Sequence, residues 1–155
     1  MAGRVEKRLK ELGIELPAVT APVANYVPFV ISGNLLFIAG QIPLKDGELQ
    51  HVGKVGAGLG VEEGQKAARL CALNLLAQAK AARGGDLDRI RRCVKVTGYV
   101  NCAPDFTDIP TVINGASDLL VEVLGDAGRH ARVAIGAGSL PRGVAAEVDA
   151  IFEIA

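Results

Sequence analysis

The chain has 155 residues, half of them apolar, and its 17 basic and 17 acidic side chains leave a formal net charge of zero. This length suits one ordinary domain with a core of its own. Without excess positive charge, and with two tyrosines, four phenylalanines and no tryptophan, the chain is not expected to bind nucleic acid or an acidic membrane through a general electrostatic surface.

The residues that most often bind metals are few. Three cysteines (Cys71, Cys93 and Cys102) and two histidines (His51 and His130) show no zinc-like spacing, so we predict no metal, no cofactor and no disulfide. The charged N-terminal segment lacks the apolar centre of a signal peptide, and no apolar run is long enough to span a bilayer. Reduced thiols and a cytoplasmic location are therefore expected.

The first predicted element is an amphipathic helix over residues 3–12, which ends at Gly13. Residues 16–23 contain two prolines and are predicted to form an extended linker. We interpret the chain as a single domain in which residues 1–16 are a helical extension and residues 24–155 form the core.

Two strands follow, at residues 27–31 and 35–39, around the turn sequence Ser32-Gly33-Asn34. Because Pro28 has no amide donor, the first of them is predicted to lie at a sheet edge. The glycine-rich run at residues 52–60 does not end in the Gly-Lys-Ser/Thr of a phosphate-binding loop, so it indicates a flexible or closely approached backbone.

The second half of the chain predicts two further helices and three strands. An Ala- and Leu-rich helix covers residues 61–83, and another covers residues 111–124. Strands are expected at residues 90–100, 131–137 and 144–154. Because strands outnumber helices, this order predicts a two-layer α+β domain with a mixed sheet and two helices packed on one face.

The alternation within the strands predicts which side chains share a face. In the strand over residues 90–100, Val94 and Val96 are expected on one face and Cys93 on the other. The second face of the sheet would be either solvated or in contact with other subunits. Its polar side chains are predicted to be Lys95, Thr97, Tyr99, Arg132, Glu147 and Asp149.

Arg132 is the most informative candidate for chemistry. Its neighbours on the same strand face, Ala134 and Gly136, are small and would leave room for a bound group. A guanidinium offers paired donors that match a carboxylate. The alternative is a structural ion pair with Glu147 or Asp149 on the following strand.

Three other residues have both a functional and a structural interpretation. Glu147 could hold or activate a water molecule, or it could complete an ion pair with Arg132. Tyr26 could cover a pocket with its ring, or it could simply pack. Asn114 lies at the start of a predicted helix, where it could be a cap.

Several segments together resemble the YjgF/RidA (endoribonuclease L-PSP) family. They occur in the family's order, and the long-form members that carry an N-terminal helix are the most similar. The matching segments are Phe37-Ile38-Ala39-Gly40-Gln41-Ile42-Pro43, Gln65 with Asn74, Val112-Ile113-Asn114-Gly115-Ala116-Ser117, and Arg132 followed by Leu140-Pro141 and Glu147-Val148-Asp149-Ala150-Ile151.

The resemblance implies a chorismate-mutase-like α+β fold and a homotrimer with a pocket between each pair of neighbouring subunits. It also implies hydrolysis of reactive 2-imino or enamine acids to 2-keto acids and ammonia, as in 2-iminobutanoate/2-iminopropanoate deaminases. The implied roles are substrate carboxylate binding for Arg132, water placement for Glu147, pocket lining for Tyr26, and positions near the site for Gly40 and Asn114.

Two positions depart from the RidA-type pattern. Ala39 stands where such enzymes often have Ser, and Ala134 stands where they often have Cys, although the carbonyl of Ala134 could still orient water. The sequence therefore leaves catalysis open beside a second possibility, a non-catalytic module that binds a small carboxylate. An endoribonuclease or translation inhibitor is a weaker third hypothesis, because little of the sequence suits base stacking.

Overall fold

The computed structural model describes residues 3–19 and 24–155, so the predicted linker at residues 16–23 lies partly outside the described residues. Within them, no helix is both long and apolar enough to cross a membrane. The helices are α1 (Arg4–Glu11), α2 (Val61–Ala82) and α3 (Ile109–Leu124). The strands are β1 (Phe29–Ser32), β2 (Leu35–Gln41), β3 (Leu44–Lys45), β4 (Glu48–Leu49), β5 (Lys54–Val55), β6 (Gly58–Leu59), β7 (Ile90–Asn101), β8 (Ala131–Ala137) and β9 (Ala146–Ile154).

Five strands form the main sheet, in the order β1-β2-β9-β7-β8. β7 and β8 run parallel and the other neighbouring pairs are antiparallel. Parallel neighbours need a crossover connection, and α3 supplies it between β7 and β8. The predicted α+β class, with a mixed sheet and helices on one face, is confirmed.

The first hairpin forms as its turn sequence predicts. Ser32 pairs with Leu35, which leaves Gly33 and Asn34 as the two-residue turn, and Gly33 has a φ of +61°. Glycine adopts this left-handed conformation without a steric penalty. β1 lies at one edge of the sheet, and Pro28 precedes it, as predicted.

The core lies between one face of this sheet and the helices α2 and α3. From the strands, Val96, Val148 and Phe152 have no exposed surface, and neither do Leu75 of α2 and Leu120 of α3. Burial of a side chain of this size contributes about 1.5–3 kcal/mol. The apolar side of each long helix therefore packs against this face of the sheet.

Two glycines let α3 pack closely. A Cβ at Gly98 of β7 would lie 2.6 Å from Cδ1 of Ile113, and one at Gly115 would overlap the carbonyl of Gln65 on α2. Any side chain at these positions would push the elements apart. The close packing fixes the height of α3 above the sheet, and with it the position of the residues that α3 presents to β8.

One predicted face assignment is wrong. Cys93 has no exposed surface and belongs to the core, whereas Val94 is only half-buried. The pairing of β7 with β9 shifts register between Cys93 and Lys95. Because an extra residue in one strand reverses the alternation beyond it, simple counting from Val96 places Cys93 on the wrong face.

The N-terminal helix docks onto the rest of the domain. Val5 and Leu9 are 1% and 3% exposed. The first amides of the helix, from Arg4 and Val5, donate to the carboxylate of Asp88 at 2.8 and 2.9 Å, and these bonds lower the pKa of Asp88. An aspartate thus satisfies helix donors that have no partner within the helix.

Candidate functional site

Arg132 lies on β8 and points toward α3. Its Nη1 donates to Oδ1 of Asn114 at 2.8 Å and to Oγ of Ser117 at 3.1 Å. Asn114 and Ser117 are three residues apart on α3 and so project from the same face of the helix. Two acceptors on one rigid element therefore hold one side of the guanidinium.

The predicted shared face of Arg132 and the carboxylates is wrong. Val96 of β7 pairs with Arg132 on β8 and with Ala150 on β9. Residues directly opposite one another on neighbouring strands share a face. Since Val96 is in the core, Arg132 is on the helix-covered face. Glu147 pairs with Tyr99. Tyr99 is an odd number of residues from Val96 along β7, so Tyr99 and Glu147 lie on the other face of the sheet.

The alternative interpretation of Arg132, a structural ion pair, is not supported within the chain. Among residues 3–19 and 24–155, no carboxylate oxygen lies within 4.0 Å of its guanidinium. Both of its bonded acceptors are neutral. In the same part of the chain, no acceptor bonds Nε or Nη2. These two nitrogens form one edge of the guanidinium, the edge that matches a carboxylate.

The expected free space beside Arg132 is only partly present. Ala134 is partly buried against the core. At Gly136, an added Cβ would lie 2.9 Å from Sγ of Cys102 and 3.0 Å from Cδ1 of Ile109. The side chains of Cys102 and Ile109 therefore occupy part of the expected space above Gly136.

The hydrogen bonds of Arg132 continue through Ser117 to His130, a residue for which the sequence predicted no role. Nε2 of His130 lies 2.9 Å from Oγ of Ser117, and Nδ1 lies 2.6 Å from the carbonyl oxygen of Gly128. The spacing carried a signal, since Ser117 follows Asn114 by three residues on a helix and His130 precedes Arg132 by two, the period of a strand.

Glu147 occupies a separate position on the open face, the sheet face that α2 and α3 do not cover. The pairing of β2 with β9 is irregular between Ile38 and Gln41, and Gly40 lies in this irregular stretch. A Cβ at Gly40 would overlap the carboxylate of Glu147. The glycine therefore lets this carboxylate lie directly against the backbone of β2.

Two carboxylates of the open face, Glu147 and Asp149, have raised pKa values. Burial raises the pKa of Glu147, and the nearby charge of Asp149 raises it further. Burial also raises the pKa of Asp149, with the charge of Lys95 acting in the opposite direction. A carboxylate whose pKa is perturbed by burial and a neighbouring charge is a candidate general acid or base, and Glu147 meets this description.

Tyr26 lies on the far side of the sheet from Arg132. It is 55% exposed and lies before β1, at the opposite edge of the sheet from β8. A cleft of 680 Å³ between residues 12–17 and α2 is lined by none of the predicted site residues. One chain thus brings Arg132 and Asn114 together, and separately Gly40 and Glu147.

The residues available for metal binding do not cluster in the described ranges. There, no three His, Cys, Asp or Glu side chains are placed to hold an ion. The three cysteines are free and buried, and burial raises the pKa of Cys93 to about 12. None of these thiols is positioned as a nucleophile or ligand.

Comparison with known proteins agrees with the motifs around Arg132. Residues 6–151 match the family described as "YjgF/chorismate mutase-like, putative endoribonuclease". Protein TCP17 of Trypanosoma cruzi is 51% identical over 154 residues, which are 99% of this chain and 96% of that protein.

Solved structures show the same relationship. The protein Atu1372 of Agrobacterium tumefaciens is 52% identical, with a TM-score of 0.92, over 97% of this chain and 92% of its own. The YjgF gene product of Escherichia coli is 27% identical, with a TM-score of 0.63, over 90% and 98% of the two chains. On the evidence of sequence and fold together, the chain belongs to the YjgF/chorismate mutase-like family.

Proposed function

We propose that the protein hydrolyses reactive 2-imino acids to 2-keto acids and ammonia, and that Arg132 binds the substrate carboxylate. The guanidinium of Arg132 is the observation that carries the proposal. It is oriented by two neutral acceptors, and in the described ranges it has no carboxylate partner and no acceptor bonded to Nε or Nη2. An oriented and unneutralised guanidinium is well suited to a planar anion.

Glu147 is proposed to be the general base and general acid that transfers protons from water to the imine nitrogen. A water molecule adds to the imine carbon, its oxygen forms the new C–O bond, and the C=N electron pair moves to nitrogen. Glu147 accepts the proton released by the water and returns it to the nitrogen, which gives a carbinolamine. Glu147 then takes the hydroxyl proton of the carbinolamine and delivers it to the amino group, so that the C–N bond breaks, ammonia leaves and the carbonyl forms. The upward shift of the pKa of Glu147, caused by burial and by the charge of Asp149, favours a carboxylate that can hold this proton.

A site that uses both residues requires more than one chain, because Arg132 and Glu147 lie on opposite faces of the same sheet. The open face carries exposed apolar side chains that a neighbouring copy would bury. We therefore propose a homotrimer in which each pocket combines residues of two subunits. The exposed side chains are Val30, Phe37, Val133 and Ile135, each between 39% and 52% exposed.

A second candidate is a module that binds a small carboxylate without chemistry. It is favoured by Ala39 and Ala134, because alanine there removes the hydroxyl and the thiol found in many RidA-type enzymes. Both functions share the carboxylate site at Arg132 and differ only in whether water attacks the bound ligand.

The test compares wild type with Arg132→Lys, Arg132→Ala and Glu147→Gln. Ammonia release is followed from freshly generated 2-iminopropanoate, and pyruvate binding is titrated separately. For a deaminase, Arg132→Lys should lose about ten- to a hundredfold in affinity, because lysine lacks the paired donors. Glu147→Gln should still bind pyruvate but should no longer accelerate ammonia release.

The outcomes separate the hypotheses. Pyruvate binding without any acceleration of ammonia release would favour the binding module. Unchanged pyruvate affinity in a folded Arg132→Ala protein would refute the carboxylate site altogether. The melting temperature serves as the control, because the partly exposed bonds of Arg132 should contribute about 1.5 kcal/mol or less to folding.

A further inference from the structure

The hydrogen bonds of Arg132 continue beyond the helix to a serine and a histidine. Oγ of Ser117 lies 3.1 Å from Nη1 of Arg132 and 2.9 Å from Nε2 of His130. We propose that Ser117 and His130 are positioning residues that fix the plane of the Arg132 guanidinium for its carboxylate ligand. The proposal rests on the proposed function and adds two residues to that site.

The carbonyl of Gly128 sets the direction of the other hydrogen bonds when the His130 ring carries one proton. The carbonyl can only accept, so Nδ1 of His130 carries that proton and Nε2 is the acceptor. The hydroxyl of Ser117 therefore donates to Nε2, and its lone pairs face Nη1 of Arg132. Without His130 the hydroxyl could rotate, and Arg132 would lose a fixed acceptor.

The far end of the chain of bonds is attached to the same helix as Asn114. An added Cβ at Gly128 would overlap the carbonyl of Leu120, so the turn that holds His130 lies directly on the backbone of α3. Leu120 is three residues after Ser117, about one helical turn away. Both acceptors of Nη1 therefore belong to α3, and the histidine that orients one of them packs on the same helix.

The two acceptors of Arg132 are neutral groups. Asn114 and Ser117 orient the guanidinium without neutralising it, so its charge stays available to a ligand. A carboxylate at position 117 would form an ion pair with Arg132 and compete with the ligand. Ser117→Asp should therefore abolish pyruvate binding in a folded protein, which a merely structural serine would not require.

The decisive variants separate the two bonds of His130. In His130→Asn the side-chain amide can still donate to the carbonyl of Gly128 but cannot reach Ser117. In His130→Gln the longer side chain can offer an oxygen to the Ser117 hydroxyl. His51→Asn is the matched control, because His51 bonds Glu63 at 2.6 Å, away from Arg132, and asparagine tolerates its φ of +54°.

We expect Ser117→Ala and His130→Asn to weaken pyruvate binding about three- to tenfold. The double variant should be no weaker than either single one, because both changes break the same chain of bonds. His130→Gln should recover most of the affinity and His51→Asn should not change it. The melting temperature of His130→Asn should stay near that of wild type, since the bond to Gly128 is kept.

A second measurement follows Arg132 without any ligand. The rate of rotation about its Cζ–Nη bonds, measured by NMR and assigned by comparison with Arg132→Lys, should rise in Ser117→Ala and in His130→Asn. Unchanged affinity and unchanged rotation in these variants would overturn the positioning role, while loss of binding in Arg132→Ala would leave the proposed function intact. If wild type does not bind pyruvate, the proposed function fails and the rotation rate alone decides the positioning role.

Discussion

The two faces of the five-stranded sheet are built from the same strands but have different surroundings. On the covered face, Val96, Val148 and Phe152 are fully buried beneath α2 and α3. On the open face, Phe37 and Ile135 are 39% and 46% exposed. Both faces carry large apolar side chains, so apolar character alone does not distinguish a core from an interface.

The polar residues show what separates the faces. Arg132 reaches from the covered face to acceptors on α3, whereas Glu147 and Asp149 lie on the open face with raised pKa values. Each face therefore holds half of the proposed chemistry. The covered face supplies an oriented cation, and the open face supplies carboxylates that a neighbouring subunit would enclose.

A matched pair of phenylalanines tests the difference most strongly. Phe152 on β9 is fully buried, and Phe37 on β2 is partly exposed. Phe152→Ala should lower the free energy of unfolding by about 3–5 kcal/mol, because it leaves a cavity in the core. Phe37→Ala should cost the dissociated chain about 1 kcal/mol or less and should weaken assembly instead. Denaturant unfolding at low protein concentration, together with light scattering, measures both. Equal losses of folding stability in Phe152→Ala and Phe37→Ala would contradict the assignment of one face to the core and the other to the surface of the dissociated chain.

A charge on the open face should prevent assembly without unfolding the chain. Ile135→Glu would place an unpaired carboxylate in the proposed interface, where its desolvation costs several kcal/mol. Sedimentation should show a monomer, and circular dichroism should show unchanged secondary structure. Val52→Glu is the control, because Val52 is 53% exposed and lies outside the five main strands. An Ile135→Glu protein that still assembles would contradict the proposed interface.

Mixed oligomers test whether one site draws on two subunits. Arg132→Ala and Glu147→Gln chains should each lack activity alone. After joint unfolding and refolding in equal amounts, about a quarter of the sites should contain both intact residues, one from each chain. Ammonia release from 2-iminopropanoate measures the recovery. If both residues act within one chain, mixing will recover nothing.

The smallest expected effect is the pH dependence of stability. The pKa of Glu147 is raised in the folded chain, so its contribution to stability is fully present below the unfolded pKa and is lost as pH rises through the folded pKa. Glu147→Gln removes this loss, so its stability relative to wild type should increase as pH rises above about 4.3, the ordinary glutamate value. The half-exposed position keeps the effect small. Urea unfolding of both proteins across pH measures it, and a difference that shrinks with pH would show that the sign is wrong.

Much of the fold follows from local sequence. The turn at Gly33 and Asn34, the uninterrupted helix of α2 and the alternation of β9 each depend on neighbours within a few residues, and all three appear where they were predicted. The motif that begins at Arg132 likewise indicated the family, which is confirmed. The assignment of Glu147 and Tyr26 to a site remains a prediction.

Only the tertiary structure decided which way β8 faces. Its sequence alternates Val133 and Ile135 with Arg132, Ala134 and Gly136, and by pattern alone the two apolar residues belong in the core. The parallel pairing of Arg132 with Val96 puts them outside instead, because β8 is an edge strand whose inner side meets the polar and small residues of α3. A register shift of one residue reverses every side chain, and register is set by partners distant in sequence. For the same reason, the Arg132–Ser117–His130 network joins a strand, a helix and a turn that only the fold brings together, and it was not predicted from the sequence.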